Sequence, residues 1–403
     1  MANNKTPLWR NRDYMLLWSG QVASTLGTTS SQVVVPLLLL ALTGSAEVAG
    51  VAGALRTLPY LVFSLPVGAL IDRWDRKAVM IRTDVGRAVA LATIPVAMAF
   101  DALTVWQIYA VVLVEGSLFV FFNIAEVAAL PRVVPTTQLP QAAAQNEAGY
   151  GIANIVGPSV GTVLYAVGRA VPFVGNVVTY VISIVSLVCI KAPFRTEALP
   201  PKRDLREEVM EGLRWMWHNP LIRFMAFLTG GINLINAAIP LLVIVLAKEM
   251  GAPDASIGAI FSAAGVGGIA GSLMGGRIAR RFTFGQVIVA CIWLETMSFS
   301  LFAVVPNYYL LAAVTGALFV LGPIYNVVQF SYRLSIIPDR LQGRVNSVFR
   351  LLAFGFMPIG SALVGVLIER IGARAAVGVF AAWLVALAVA TTFNRHVREA
   401  RSK

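Results

Sequence analysis

Glu115 stands inside one apolar run, 104–130, and Arg56 inside another, 48–71. A charged side chain at bilayer depth costs about 2.5 to 3.5 kcal/mol on insertion scales, so such groups usually have a task. An acid that binds and releases a proton as a cavity opens to either side can couple solute movement to a proton gradient. At 1.5 Å of helix rise per residue, counted from the ends of their runs, Glu115 and Arg56 lie at depths about 3 Å apart. The spacing predicts that they meet, either as a salt bridge that only positions helices or as a pair in which Glu115 carries the proton. Asp84 and Arg87, at i and i+3 in the run 78–100, read as a gate or a structural pair. Glu147 in the run 139–167 is the rival carrier, with Asp84 behind it, and Glu295 has no evident partner.

Other chemistries find little in the chain. No Gly-Lys dipeptide occurs, so the lysine of a phosphate-binding loop is missing. The two histidines, His218 and His396, are far apart, and no His/Cys spacing fits a metal ion. An ATP-driven pump and an enzyme are therefore not expected, nor any cofactor or metal. Uphill movement would have to draw on an ion gradient.

The elements that must position these charges are long and apolar. The 403 residues are 58% hydrophobic and 13% charged, against about 25% charged in soluble domains. That much apolar surface calls for lipid as solvent. Runs of about 20 residues, the length that crosses about 30 Å of hydrocarbon as helix, recur at 14–42, 48–71, 78–100, 104–130, 139–167, 171–191, 221–247, 255–276, 284–305, 308–333, 342–369 and 373–394. Twelve crossings put both termini on one side. Lys and Arg crowd the N-terminal arm, the even-numbered loops and the tail, whereas the odd-numbered loops hold Arg169, Lys248, Arg370 and Arg374. That bias places both termini in the cytoplasm. The net charge of +12 is then spread along one membrane face, and nucleic acid is not an expected partner. Residues 1–13 are polar, and the apolar run after them is too long for a signal-peptide core. Cys189 and Cys291 fall inside runs as small apolar residues, with no disulfide framework.

Residues 192–220 form the long polar connection. Leu205, Val209, Leu213 and Met216 recur in it at helical spacing, and Asp204 with Glu207 could form a capping box. The segment reads as an amphipathic helix lying on the inner membrane surface, or as a linker helix packed on its own protein. The flanking halves repeat. Glu115-Gly116 parallels Thr315-Gly316, Asn146 parallels Asn346, and Pro158 parallels Pro358 at one constant offset. The expected domains are a six-helix bundle at 1–191, the linker at 192–220 and a second bundle at 221–403.

Between the second and third runs stands Gly68-Ala-Leu-Ile-Asp72-Arg73-Trp-Asp75-Arg76-Lys77. This hairpin resembles the loop 2–3 signature of the major facilitator superfamily, with Asp75 where the signature usually has Gly. Gly157-Pro158-x-x-Gly161 resembles the span-5 signature of its drug:proton antiporters. With Arg56-x-x-Pro59, Asp84-x-x-Arg87, Pro131-Arg132-x-x-Pro135 and Gly343-Arg344-Val345-Asn346, most of the chain is similar to the macrolide-efflux and enterobactin-exporter branch. Many drug antiporters carry an Arg in span 4 where this chain has Val112, so the coupling residue does not transfer with the resemblance.

The resemblance implies an all-α membrane protein of twelve helices in two pseudo-symmetric bundles, with spans 1, 4, 7 and 10 around a central cavity. Gln21, Gln32, Phe119, Asn123, Asn233, Asn236, Tyr325, Asn326 and Gln329 would line it beside Glu115. It also implies gating at Gly68, Asp72, Arg73, Arg76 and Lys77, with Asp72 meeting Arg344 or the start of span 11, and flexing at Gly157 and Pro158. The expected function is proton-coupled export of a small amphipathic drug, antibiotic or siderophore-like compound across the cell membrane, by a monomer. An uptake symporter, or a non-transporting sensor or lipid-handling protein, would share these features.

Overall fold

The computed structural model describes residues 7–71, 73–192, 194, 205–338 and 341–400. Among them the regular elements are all helical. In chain order they are α1 (Arg12–Thr43), α2 (Ala46–Ile71), α3 (Arg76–Ala99), α4 (Val105–Val133), α5 (Leu139–Val167), α6 (Val171–Cys189), α7 (Leu205–His218), α8 (Pro220–Glu249), α9 (Asp254–Arg281), α10 (Phe284–Ser300), α11 (Tyr308–Ile336), α12 (Gln342–Gly355), α13 (Met357–Ile371), α14 (Ala373–Phe393) and α15 (Arg395–Glu399). Hydrocarbon offers the backbone no partner, so helices that satisfy their own N–H and C=O groups are the natural outcome. Eleven segments among the described residues are long and apolar enough to cross a membrane, with α12 and α13 counted as one. The expected run 78–100 forms α3, which is 24 residues long. Arg76, Lys77, Arg82, Asp84 and Arg87 keep it outside that set.

Local chemistry sets the ends. Asp75 caps α3, its carboxylate accepting from the Lys77 and Ala78 N–H groups. Thr283 and Gln286 form a reciprocal capping box on α10. The expected segment 342–369 breaks at Phe356, and α13 restarts with Pro358 in its first turn, where a missing N–H costs nothing. Gly372 then ends α13 at φ 83°, a conformation that favours glycine.

Packing divides the chain into two compact units. One comprises Met1–Val35 with Val62–Lys202, the other Pro36–Leu61 with Arg203–Lys403. In the first, α5 lies against α1 across Gly157 and Gly161. A Cβ on Gly157 would collide with the Thr29 hydroxyl, and one on Gly161 would sit 2.5 Å from the Ser30 carbonyl oxygen. Thr29 and Ser30 donate to the Ala153 and Gly157 carbonyls, at 3.0 and 2.8 Å. In the second unit, α13 meets α8 in the same manner, and a Cβ on Gly360 would strike the Leu234 carbonyl. The N-terminal half of α2 also packs there. Gly50 faces Gly365 on α13, and Glu369 accepts from Ser45 Oγ and Ala46 N at 3.1 and 2.8 Å.

Helix α7 is docked on α12. Gly212 abuts the Arg344 backbone, Met216 is buried, and Glu211 forms an ion pair with Arg344. The segment thus packs on its own protein through one face, while Met210 and Trp217 stay exposed on it. Asp204, the expected cap, lies outside the described residues. Cys291 is buried, but Cys189, expected to be an apolar filler, is exposed at the end of α6.

Candidate functional site: a buried charge cluster in the first unit

Three charged side chains meet among α3 and α4. Asp84 is 0% exposed, and Arg87 and Glu115 are 2% each. On α3, one turn brings Arg87 Nη1 to 3.3 Å from Asp84 Oδ1. Arg87 Nη2 lies 4.0 Å from Glu115 Oε1 on α4. Neighbouring hydroxyls close the arrangement. Arg87 Nη2 donates to Thr28 Oγ1 on α1 at 3.1 Å. Thr28 Oγ1 and Tyr180 Oη on α6 are 3.2 Å apart, and Tyr180 donates to Glu115 Oε1 at 2.7 Å. A single chain of hydrogen bonds therefore runs from guanidinium through two hydroxyls to carboxylate. Aromatic faces surround the cation: Arg87 Cζ is 4.3 Å from the Tyr180 ring centroid and 5.5 Å from that of Phe119.

The cluster has a charge imbalance. Two carboxylates face one guanidinium, so it is neutral with one proton bound and carries one negative charge without it. Asp84 Oδ2 and Glu115 Oε2 are both buried without a hydrogen-bond partner. Glu115 Oε2 is a free position at which a proton could bind, whereas the Asp84 carboxylate also has the buried Ser183 hydroxyl beside it.

This geometry corrects the expected pairing. The basic neighbour of Glu115 is Arg87, not Arg56. Residue counting along a helix gives depth only, and depth does not fix which way a side chain points or which helix it packs against. Arg56 is half-buried and makes no ion pair or hydrogen bond among the described residues. Asp84 and Arg87 do pair, and Glu115 joins them. Glu147, the rival carrier, is on the exposed face of α5.

A second buried acid stands on α4, outside the expected site residues. Glu126 is buried, accepting from Gln21 Nε2 at 2.6 Å and Tyr150 Oη at 3.4 Å. Its signal was present, since an acid in an apolar run is costly wherever it stands. The other cavity candidates are placed unevenly. Phe119 and Asn123 are half-buried beside these acids on α4, while Gln32 is exposed. In the second unit, Asn233 donates to the Ala353 carbonyl at 2.9 Å. Tyr325 is 2.8 Å from the Thr229 hydroxyl. Gln329 is buried, whereas Asn236 and Asn326 are exposed.

Of the gating residues, Asp72 lies outside the described residues. Gly68 has open space where a Cβ would stand, and Arg73 is exposed. Arg76 donates to the Ala128 carbonyl at 2.9 Å, and Lys77 to those of Val188 and Ile190 at 3.2 and 2.7 Å, tying the start of α3 to α4 and α6. Arg344 holds α7 through Glu211. Gly157-Pro158-Ser159-Val160-Gly161 also spells the Gly-x-Ser-x-Gly of a nucleophile elbow. It lies within continuous helix α5, with no strand-to-helix turn to expose the serine.

An all-helical chain with membrane-length segments, packed through glycines at matching points of its two halves, is a major facilitator transporter. The nucleoside transporter NupG superposes on 96% of this chain and 100% of its own with a TM-score of 0.77 at 13% identity. The chain belongs to the family described as transmembrane secretion effector, whose sequence profile matches residues 4–403. Macrolide efflux protein A of Streptococcus pyogenes is 28% identical over 90% of this chain and 91% of its own length. The multidrug efflux pump Tap of Mycolicibacterium fortuitum is 27% identical over 96% of each. The protein is thus a multi-pass secondary transporter of small solutes in the cell membrane, and belongs to a class that performs no covalent chemistry.

Proposed function

We propose that this protein exports a small amphipathic compound from the cytoplasm by alternating access, in exchange for protons. The observation that carries the reading is the buried cluster of Asp84, Arg87 and Glu115, with one carboxylate more than its cation balances. Proton entry would relieve that imbalance in one state, and proton release would restore it in the other. Glu115 is the first candidate carrier because its carboxylate ends the hydrogen-bond chain from Arg87, and Asp84 is the second. The efflux names of the relatives support export over uptake.

In this reading α3 is the twelfth crossing, and both termini face the cytoplasm, where Lys and Arg are concentrated.

The test uses inverted membrane vesicles with an imposed pH gradient and a fluorescent efflux dye such as Hoechst 33342. Wild type should accumulate the dye only with the gradient. Glu115→Gln should abolish this while leaving dye binding intact. Normal gradient-driven accumulation by the variant would reject Glu115 as the carrier, and gradient-independent movement by wild type would reject proton coupling.

A further inference from the structure

The second unit also buries a guanidinium, in different company. Arg333 lies in the last turn of α11 and is 6% exposed. Its Nε and Nη1 are buried with no hydrogen-bond partner. No carboxylate among the described residues pairs with it. Its Cζ is 3.9 Å from the centroid of the Phe349 ring on α12 and 5.4 Å from that of Phe330. Arg350, next to Phe349 on α12, is exposed and donates to the Tyr60 hydroxyl at 3.4 Å. One turn before Arg333, on the same face of α11, Gln329 is 5% exposed, and its Nε2 also lacks a partner.

A guanidinium presents a planar fork of donors suited to a carboxylate or phosphate. Ring faces and the carbonyl end of α11 attract its charge but leave the N–H donors of the fork unfilled. Buried donors are almost always satisfied in folded proteins. Here three of them, Nε and Nη1 of Arg333 and Nε2 of Gln329, go unfilled within two turns of one helix. The missing group must be an acceptor, and beside a buried guanidinium with no carboxylate of its own it should be negative.

We propose that Arg333 and Gln329 form a receiving site for an anionic group, a carboxylate or a phosphate. Phe349 forms an apolar wall beside it. The group is supplied either by an acidic solute or by the headgroup of an anionic lipid. The assignment concerns binding in the second unit alone, so it stands or falls separately from the direction and coupling of transport.

The experiment measures thermal stability of the purified full chain in phosphatidylcholine nanodiscs. The probes are 2-naphthoate and its neutral isostere 2-naphthamide. Wild type should be stabilised saturably by naphthoate and not by naphthamide. Arg333→Gln should abolish the response. Arg333→Lys should keep part of it, because an ammonium retains the charge without the fork. Gln329→Leu should raise the half-saturating concentration by about tenfold, the scale of one hydrogen bond to a charged group.

Discs containing phosphatidylglycerol distinguish the sources. A headgroup occupant would stabilise wild type in those discs and suppress the naphthoate response, both effects being lost in Arg333→Gln. A solute site would leave the naphthoate response in place. The proposal is overturned if wild type responds to neither anion more than to its neutral counterpart. It is equally overturned if Arg333→Gln and Arg333→Lys respond as wild type does. Should Arg333→Gln fail to fold, Arg333→Lys and Gln329→Leu carry the same comparison.

Discussion

Arg87 and Arg333 are both buried in helices of a membrane transporter, one in each packing unit, yet their surroundings are opposite. Arg87 has two carboxylates, a threonine hydroxyl and a tyrosine face around it. Arg333 has two phenyl rings, a neighbouring arginine and unfilled donors. The two halves of the chain echo each other in helix length and glycine placement, so the difference is not one of scaffold. It lies in which charges each half supplies for itself. A buried ion that the protein pairs internally holds helices together and can change state only by gaining or losing a proton. One left without a counter-ion is completed from outside.

The comparison breaks most readily at Arg87. Arg87→Met would leave Asp84 and Glu115 buried without a cation, and removing one partner of a buried ion pair costs about 3 to 5 kcal/mol. The expected result is a large drop in melting temperature in neutral detergent, or failure to accumulate in the membrane. Arg333→Met should be neutral or stabilising under the same conditions, because it removes an unpaired charge. If the two variants lose stability alike, Arg333 is a structural ion like Arg87 and the contrast is mistaken.

How much of this was visible beforehand depends on the kind of information each feature needs. Segment ends followed the sequence closely because length, apolarity and caps are local: the expected run 139–167 is α5, and 373–394 is α14 but for its last residue. The break at Phe356 was hidden because Met357 and its neighbours are as apolar as the run they interrupt. Glu115 stood out as costly, but its partner did not, since residue counting gives depth and not azimuth. Arg87 was visible as a member of an i, i+3 pair, and that local pairing masked its reach across to α4. Arg333 is the last residue of the run 308–333, where a charge is ordinary, and only its burial between α11 and α12 distinguishes it. Tyr180 and Thr28 carried no signal, because a hydroxyl in an apolar helix is common.

The shared scaffold can be tested with the glycines at matching joints. Gly161→Val should push α5 away from Ser30, and Gly360→Val should push α13 away from Leu234. Overpacking of this kind typically costs about 1 to 3 kcal/mol. Similar losses in the two variants, read as detergent melting temperatures, would support equivalent joints. Gly68→Ala and Gly276→Ala, with open space at both Cβ positions, should stay within about 0.5 kcal/mol of wild type. A large loss at either would show that an unseen contact fills that space.

Tyr180→Phe sharpens the account of the first cluster. It removes the hydroxyl between Thr28 and Glu115 but leaves the ring against Arg87. Losing one hydrogen bond to a charged group should cost about 1.5 to 3 kcal/mol. If the hydroxyl chain serves the proton, gradient-driven dye accumulation should fall by more than dye binding does. Equal falls in both would make Tyr180 a packing residue.

The smallest effect is expected where charges are paired but partly in water. Glu211 on α7 and Arg344 on α12 form such a pair, with side chains 41% and 24% exposed. Exposed pairs contribute about 0 to 1 kcal/mol, because solvent screens the attraction and two long side chains must be held in place. Glu211→Gln should therefore hardly move the melting temperature. The steric fit beneath the pair is another matter, since Gly212 rests against the Arg344 backbone with no room for a Cβ. Gly212→Leu should lift α7 from α12, seen as faster proteolysis in the linker while the melting temperature of the remaining helices holds. If Glu211→Gln releases α7 as readily as Gly212→Leu, the helix is held by charge and not by shape, and burial would no longer separate the strong ion pairs of this protein from the weak ones.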